Sequence, residues 1–280
     1  MPDITPALVA KLREMTGAGL LECKKALTET SGDLDKATDV LRKKGVASAA
    51  RKAGRDAKEG LVAQNIQPGA RVGILVEINC ETDFVAKNDQ FRGFADEVAR
   101  TLAANPQAEV EPIRAAMVAK MGENMKISRH QRIEVSGNGL VAAYIHTGAK
   151  VGVLVEVGAA QEATVGNEDF KQLVRDVTLQ IAAASPLAVS RDQIDPAVIA
   201  KEKEIAAEQV KNKPPQAIAK IIEGKLEKFY QSCCLLDQGF VKQNSEISVR
   251  EHLNGVAKRL GDEIVIRRFF RFQVGESFTT

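Results

Sequence analysis

The sequence is poor in aromatic residues and in cysteine. It has no tryptophan, two tyrosines and four cysteines that form no Cys-x-x-Cys pair. Scattered cysteines argue against a disulfide scaffold or a zinc site, and they favour a reducing compartment, so we expect a cytoplasmic protein. No apolar run approaches the roughly 20 residues of a bilayer-spanning helix, and the start lacks the pattern of a signal peptide, so we expect neither a membrane span nor secretion.

The charges nearly cancel. The chain has 39 basic and 37 acidic residues, a formal net charge of +2, which gives no global field for binding nucleic acid. Its 280 residues, 44% hydrophobic and 27% charged, are typical of a folded protein. At about 150 residues per domain, the length predicts two domains.

The first 45 residues predict a compact unit of three short helices. Thr5-Pro6 is a typical helix start, and breaks follow at 17–19 and 31–33. We expect the third helix to stop at Gly45. A unit this small has no room for a deep pocket and is typical of a docking module.

Residues 46–59 are interpreted as a basic linker. From residue 42 to residue 58 there are seven basic residues and one acidic residue, Asp56. Two interpretations stay open, a phosphate-binding arm and a solvated helix or tether. The segment contains no aromatic side chain on which a base could stack, which favours the tether.

An internal repeat organises the rest of the chain. Residues 60–78 and 139–157, offset by 79, are identical at twelve of 19 positions. Each copy has two β-rich runs joined by a glycine-containing turn, which predicts a hairpin, and a helical pattern follows. A third strand is expected at 126–135 and 265–274. There the offset rises to 139, so the second copy carries about 60 extra residues.

The extra residues predict an antiparallel helical hairpin. Two helical patterns flank Lys213-Pro214-Pro215, which forces a reversal. The hairpin could be a structural arm or a contact surface. The predicted fold class is therefore α+β. Its parts are the helical module (1–45), the linker (46–59), a first repeat (60–137), a second repeat (138–184 and 235–280) and the hairpin between the two halves of that repeat (185–234).

The two copies differ most between their second strand and their helix. Copy one has Asn-Cys-Glu-Thr-Asp-Phe-Val-Ala-Lys at 79–87, whereas copy two has small and polar residues at 158–166. Connecting segments lie at the surface and carry function more often than regular elements do. Phe84 could pack into its own core, or it could be an interface anchor with a polar rim formed by Asp83 and Lys87.

The sequence predicts no catalytic site. Its three histidines are far apart, and no nucleophile, zinc or phosphate-loop motif occurs. We expect no catalytic residues, no bound metal and no cofactor, and hence a binding protein rather than an enzyme. The alternatives are an RNA-associated scaffold that uses the basic segment and, less well supported, a small-ligand enzyme in the α+β core.

Several segments closely resemble the bacterial elongation factor Ts family, the nucleotide-exchange factors of elongation factor Tu. The resemblance covers the whole chain and rests on LREMTGAGLLECKKAL, ETDFVAK, MGEN, YIH and RFQVGE, at residues 12–27, 81–87, 121–124, 144–146 and 271–276. It implies a ubiquitin-associated-like helical module, two related α+β subdomains and a coiled-coil insertion. Some family members have a further helix after the last strand, and we expect that contact to be absent here.

The resemblance also implies site residues on the face toward Tu. Thr82, Asp83, Phe84 and Val85 would press on the GTP-binding domain and disturb its magnesium site. Phe84 would be the wedge, and Asp83 would hold or polarise the partner's switch region.

Docking on Tu is implied for other residues. The module would dock through Leu12, Leu20 and Leu21, although each could equally belong to its core, and His146 would contact Tu from the second copy. The partner is Tu with GDP, and a homodimer or a two-to-two complex stays open. We expect no membrane and no direct nucleic-acid partner.

Overall fold

A computed structural model describes residues 4–211 and 214–276. Lys213 of the predicted reversal and the last residues, 277–280, lie outside these ranges. None of the helices in the described ranges combines the length and the apolar character that a membrane crossing requires. The predicted α+β class is confirmed, since an N-terminal helical unit is followed by two antiparallel three-stranded sheets covered by helices.

The N-terminal unit consists of α1 (Pro6–Thr16), α2 (Leu20–Glu29) and α3 (Leu34–Lys52). Thr5 caps α1 by accepting a hydrogen bond from the Leu8 amide at 3.2 Å. Gly17 ends α1 in the left-handed region, with φ of 65°. The prediction of three helices is confirmed.

The predicted end of the third helix at Gly45 is wrong. Helix α3 continues to Lys52, so half of the expected linker is helical. Gly45 is buried, and a Cβ placed on it would lie 3.5 Å from the Cβ of Ala119. Gly45 therefore lies inside α3, against α6, and does not end the helix.

Each repeat contains a three-stranded sheet and its covering helices. The first sheet has the order β1-β2-β3, and the second has the order β4-β5-β6. The elements of the first repeat are β1 (Glu59–Ile66), β2 (Val72–Cys80), α4 (Asp83–Ala86), α5 (Asp89–Ala104), α6 (Glu111–Met121) and β3 (Met125–Glu134). Those of the second repeat and its insertion are β4 (Gly139–Ile145), β5 (Val151–Ala159), α7 (Glu162–Val165), α8 (Glu168–Ala184), α9 (Pro196–Glu208), α10 (Pro215–Cys233), α11 (Val249–Leu260) and β6 (Ile264–Gln273). The predicted hairpins and third strands are confirmed.

The insertion is a pair of helices, α9 and α10. At the base of the pair, Ile199 of α9 and Phe229 of α10 pack against the same buried cluster. Farther along, Lys225 donates a hydrogen bond to the Gln209 side-chain oxygen, so the helices run antiparallel. Pro215 is the first residue of α10. The predicted helical hairpin is confirmed in the described residues.

The repeat extends further than the sequence predicted. Helices α6 and α11 correspond at the offset of 139 and both precede the third strand. Each ends at a left-handed glycine, Gly122 with φ of 80° and Gly261 with φ of 63°. The insertion therefore lies between α8 and α11.

The two sheets pack face to face through an apolar layer that includes Val62, Leu75, Val141 and Leu154. Two equivalent hydrogen bonds join the repeats. The Val62 amide donates to the Ala149 carbonyl and the Val141 amide donates to the Ala70 carbonyl, each at 2.8 Å. This layer fixes the first repeat, and with it α4, relative to the second.

Gly152 permits this close approach, and its substitution by alanine is expected to destabilise the protein. An added Cβ would lie 2.5 Å from Val62 Cγ1 and 2.9 Å from Leu75 Cδ1. Overpacking of this kind costs about 1–3 kcal/mol in the free energy of unfolding. Gly93, inside α5 with open space at its Cβ position, is the control. We expect Gly93→Ala to be neutral or stabilising in urea unfolding, and equal effects of the two changes would contradict the packing described here.

Candidate functional site

Phe84 is displayed on the surface by a short helix. Strand β2 is buried along its whole length and ends at Cys80, after which α4 turns outward. Phe84 is 81% exposed, the highest fraction among the large apolar side chains of the described ranges. The alternative in which it packs into its own core is therefore wrong. An aromatic side chain this exposed costs solvation free energy unless a partner covers it.

Glu123 holds the start of α4 in place. Its carboxylate accepts hydrogen bonds from the Thr82 hydroxyl at 2.7 Å, the Thr82 amide at 3.0 Å and the Glu81 amide at 3.1 Å. The Thr82 hydroxyl in turn accepts from the Val85 amide at 3.3 Å and caps the helix. Three donors on one carboxylate fix the backbone just before Phe84.

A second set of bonds ties the same segment to the end of the N-terminal region. The Asn124 amide donates to the Glu81 carboxylate at 2.6 Å, and the Asn124 side chain donates to the Arg55 carbonyl at 2.7 Å. Val85 and Ala86 pack on the core of the first repeat. Phe84 is therefore preorganised, which lowers the conformational entropy lost when a partner covers it.

Asp83 lies on the exposed side of α4 beside Phe84. Lys87 donates to its carboxylate at 2.6 Å, and this hydrogen bond lowers the pKa of Asp83 below its ordinary value. Both side chains are solvent-accessible, so Asp83 is a charged group at the rim of the aromatic side chain. The pair is placed where a polar rim around Phe84 was predicted, and its role at an interface stays a prediction.

The three leucines proposed for docking have different environments. Leu20 and Leu21 are 57% and 72% exposed, and Met15 nearby in sequence is also exposed. Leu12 is fully buried in the core of the helical unit. Its predicted docking role is therefore wrong, because a side chain inside this small core cannot contact a partner without unfolding the unit.

His146 is exposed at the junction of the two repeats. Its Nδ1 lies 3.0 Å from the Tyr144 hydroxyl. It lines a depression of about 330 Å³ together with Arg92 and Asp96 of α5. None of Leu20, Leu21 and residues 82–85 lines this depression, so His146 is not brought together with the other predicted site residues there.

The basic segment is largely helical and partly neutralised. Lys44 pairs with Glu29 at 2.7 Å, Arg55 with Glu81 at 3.5 Å, and Lys58 with Asp56 at 3.0 Å. These ion pairs reduce the field available to a phosphate backbone. The segment 42–58 contains no aromatic side chain on which a base could stack.

The four cysteines are buried free thiols in the described chain. Burial raises the pKa of Cys80, which lies below α4, to about 12, and that of Cys234 to about 12. Since the thiolate is the reactive form, we expect neither residue to be alkylated by iodoacetamide at pH 8 while the protein is folded. Labelling should follow unfolding in urea, and mass spectrometry of peptides would detect it. Rapid labelling of Cys80 in the folded protein would contradict the burial described here.

No metal centre is formed in residues 4–211 and 214–276, where no three His, Cys, Asp or Glu side chains come together. The histidines are dispersed. His252 stacks on Phe240 with 4.1 Å between ring centroids, and burial lowers its pKa. His130 lies on the exposed face of β3.

Sequence reasoning did not single out Glu123 and Asn124 as supports of the site. Their only signal was the MGEN segment at 121–124, which carried part of the family resemblance. Both residues lie about 40 positions from α4 along the chain, so the contact depends on how β3 begins beside the end of β2.

The chain is similar to known proteins along its full length. The family described as "Elongation factor TS" matches residues 81–276. A protein of Symbiobacterium thermophilum named "Elongation factor Ts" is 43% identical over 285 residues, covering 99% of this chain and 93% of the relative. A protein of the same name from Nautilia profundicola is 43% identical, covering 99% and 94%. Another from Clostridium perfringens is 42% identical, covering 98% and 93%.

Proposed function

The chain belongs to the elongation factor Ts family of translation elongation factors, and we propose that it is a guanine nucleotide exchange factor. Its partner would be elongation factor Tu in the cytoplasm, bound to GDP. The observation that carries this proposal is the exposed Phe84 on the clamped helix α4. The protein would make and break no covalent bond, so it is not an enzyme in the usual sense.

The proposed target is the magnesium and phosphate site of Tu. A GTPase holds GDP through phosphate contacts of its P-loop and through Mg²⁺. Mg²⁺ demands near-octahedral geometry, so a small displacement of its ligands weakens its binding. Thr82–Val85 would press on the GTP-binding domain, with Phe84 entering the partner's surface and Asp83 at its rim contacting the switch region.

The rigidity of α4 determines whether such an insertion has an effect. Exchange requires that the factor bind the nucleotide-loosened state of Tu better than the GDP-tight state. A mobile aromatic side chain would adapt to either state, whereas one fixed through Glu123 favours the state that fits it. By reciprocity, nucleotide must loosen the factor by the same ratio, so incoming GTP helps to release it.

Two further surfaces would hold the complex together. Leu20 and Leu21 are exposed apolar side chains of the helical unit and would dock on the GTP-binding domain. His146 would contact a more distant domain from the second repeat. The hairpin of α9 and α10 offers a further surface, either for Tu or for a second copy of the chain.

Release of a fluorescent GDP analogue from purified Tu tests the exchange proposal. We expect substoichiometric amounts of this protein to accelerate release in the presence of excess GTP, because each molecule is recycled. The same protein unfolded in urea and diluted without refolding is the control. No acceleration by a folded sample with a cognate Tu would overturn the exchange function.

A further inference from the structure

A cavity of about 480 Å³ lies where the N-terminal helical unit meets the first repeat. Helix α3 belongs to both regions, and Gly45 brings it close to Ala119 of α6. The turn after α1 does not fill the space beside this contact. Lys120 reaches across it, since a Cβ placed on Gly17 would lie 3.2 Å from the Lys120 side chain. The volume falls within the range of about 300–1,000 Å³ that small-molecule pockets occupy.

The floor of this cavity is apolar and built mainly from small side chains. Two large apolar side chains of its lining, Met15 and Val46, are about half exposed. Methionine adapts its shape to irregular ligands. The further apolar lining comes from Ala18, Leu41, Ala47, Pro112, Ala115, Ala116 and Ala119.

The charges around the cavity are mostly positive. Four basic side chains line it, whereas Glu22 is the one acidic residue of the lining. Lys44 pairs with Glu29, but Arg42, Arg51 and Lys120 have no ion-pair partner within residues 4–211 and 214–276. Unpaired cations beside apolar surface attract an anionic group and leave the apolar part of its molecule to be buried.

We propose that this cavity, the α3–α6 pocket, binds a small amphipathic carboxylate whose head group lies among the basic side chains of the lining and whose alkyl chain lies on the alanine-rich floor. Arg51 supplies a planar fork that matches a carboxylate, and Lys120 adds a second charge from α6. The pocket is separate from α4, and the proposal does not depend on nucleotide exchange.

The test is calorimetric titration of the full chain with sodium hexanoate, octanoate and decanoate below their micelle concentrations. We expect one site per chain. Each two-carbon extension should tighten binding by about tenfold until the floor is covered, because each buried methylene contributes up to about fourfold. The Gly45 amide resonance, which reports on the floor, should shift with the same dissociation constant.

Three variants assign the interaction to the pocket. Arg51→Gln with Lys120→Gln should weaken decanoate binding by at least about tenfold, because two of the four positive charges of the lining are lost. Lys43→Gln removes an exposed charge of the same helix that does not line the cavity, and it should change nothing. Ala116→Leu should block the site while the basic residues remain.

Ligand controls separate the two halves of the proposal. Decanol has the chain without the charge, and acetate has the charge without the chain, so both should bind much more weakly than decanoate. Equal weakening by Lys43→Gln and by the double substitution, affinity independent of chain length, or no saturable binding would each overturn the proposal.

Discussion

Substituting Phe84 with alanine is expected to lower the rate of GDP release from Tu that this protein stimulates, by roughly 30-fold at a saturating concentration of the protein. A central aromatic side chain of an interface typically contributes about 2 kcal/mol or more, and here that contribution would be made in the nucleotide-loosened state. Affinity for nucleotide-free Tu should change less, because the other docking surfaces remain. Stopped-flow fluorescence of a labelled GDP would give the rate.

Leu187→Ala is the matched control for this substitution. Leu187 is also a large exposed apolar side chain, at 69% exposure, but it lies outside the first repeat. Its truncation removes similar exposed area and should leave the release rate within about twofold of the unchanged protein. A Phe84→Ala rate equal to that of Leu187→Ala would remove Phe84 from the mechanism.

Substituting Glu123 with alanine should lower exchange although Glu123 is not proposed to touch Tu. The change leaves the Thr82 hydroxyl and the amides of Thr82 and Glu81 without their acceptor, so α4 loses its fixed position. Hydrogen bonds to a charged acceptor contribute about 1.5–3 kcal/mol. We expect a roughly tenfold slower stimulated release and a small loss of stability.

A double-substitution cycle separates positioning from general destabilisation. If Glu123 acts through Phe84, Glu123→Ala should have little further effect on release in a protein that already carries Phe84→Ala. Additive losses would show that Glu123 acts elsewhere. Glu97→Ala removes an exposed carboxylate of α5. It should leave the stimulated release rate unchanged, both in the unsubstituted protein and in the protein that carries Phe84→Ala.

The sequence allowed the sheets to be predicted because the repeat preserved them. The strands of both copies have glycines and branched residues at the same positions. Because the same pattern occurs twice, each copy supports the prediction of strands in the other. Helices α6 and α11 were missed because they share few residues with each other and are shorter than α5 and α8, and because the pattern of α6 is weak. Gly45 was misinterpreted because a glycine that ends a helix and one that lies inside a helix look alike in sequence.

The candidate site could be located from sequence but not understood from it. The difference between the two copies pointed to 79–87, yet exposure of Phe84 depends on how α4 leaves the sheet. Leu12, Leu20 and Leu21 are the same residue type, so the sequence does not distinguish them. The packing of the three helices buries Leu12 and exposes Leu20 and Leu21. Glu123 is distant along the chain, so its contact with Thr82 follows from the fold.

The dependence of stimulated GDP release on Mg²⁺ tests the central proposal most directly. Release from Tu would be measured with and without saturating factor, first at millimolar Mg²⁺ and then in excess EDTA. If α4 acts by disturbing the magnesium site, the factor should accelerate release strongly with Mg²⁺ and far less once Mg²⁺ has been removed. The acceleration by the Phe84→Ala variant should differ little between the two conditions. An acceleration of the same size with and without Mg²⁺ would contradict the proposal that the exposed aromatic side chain works through the metal.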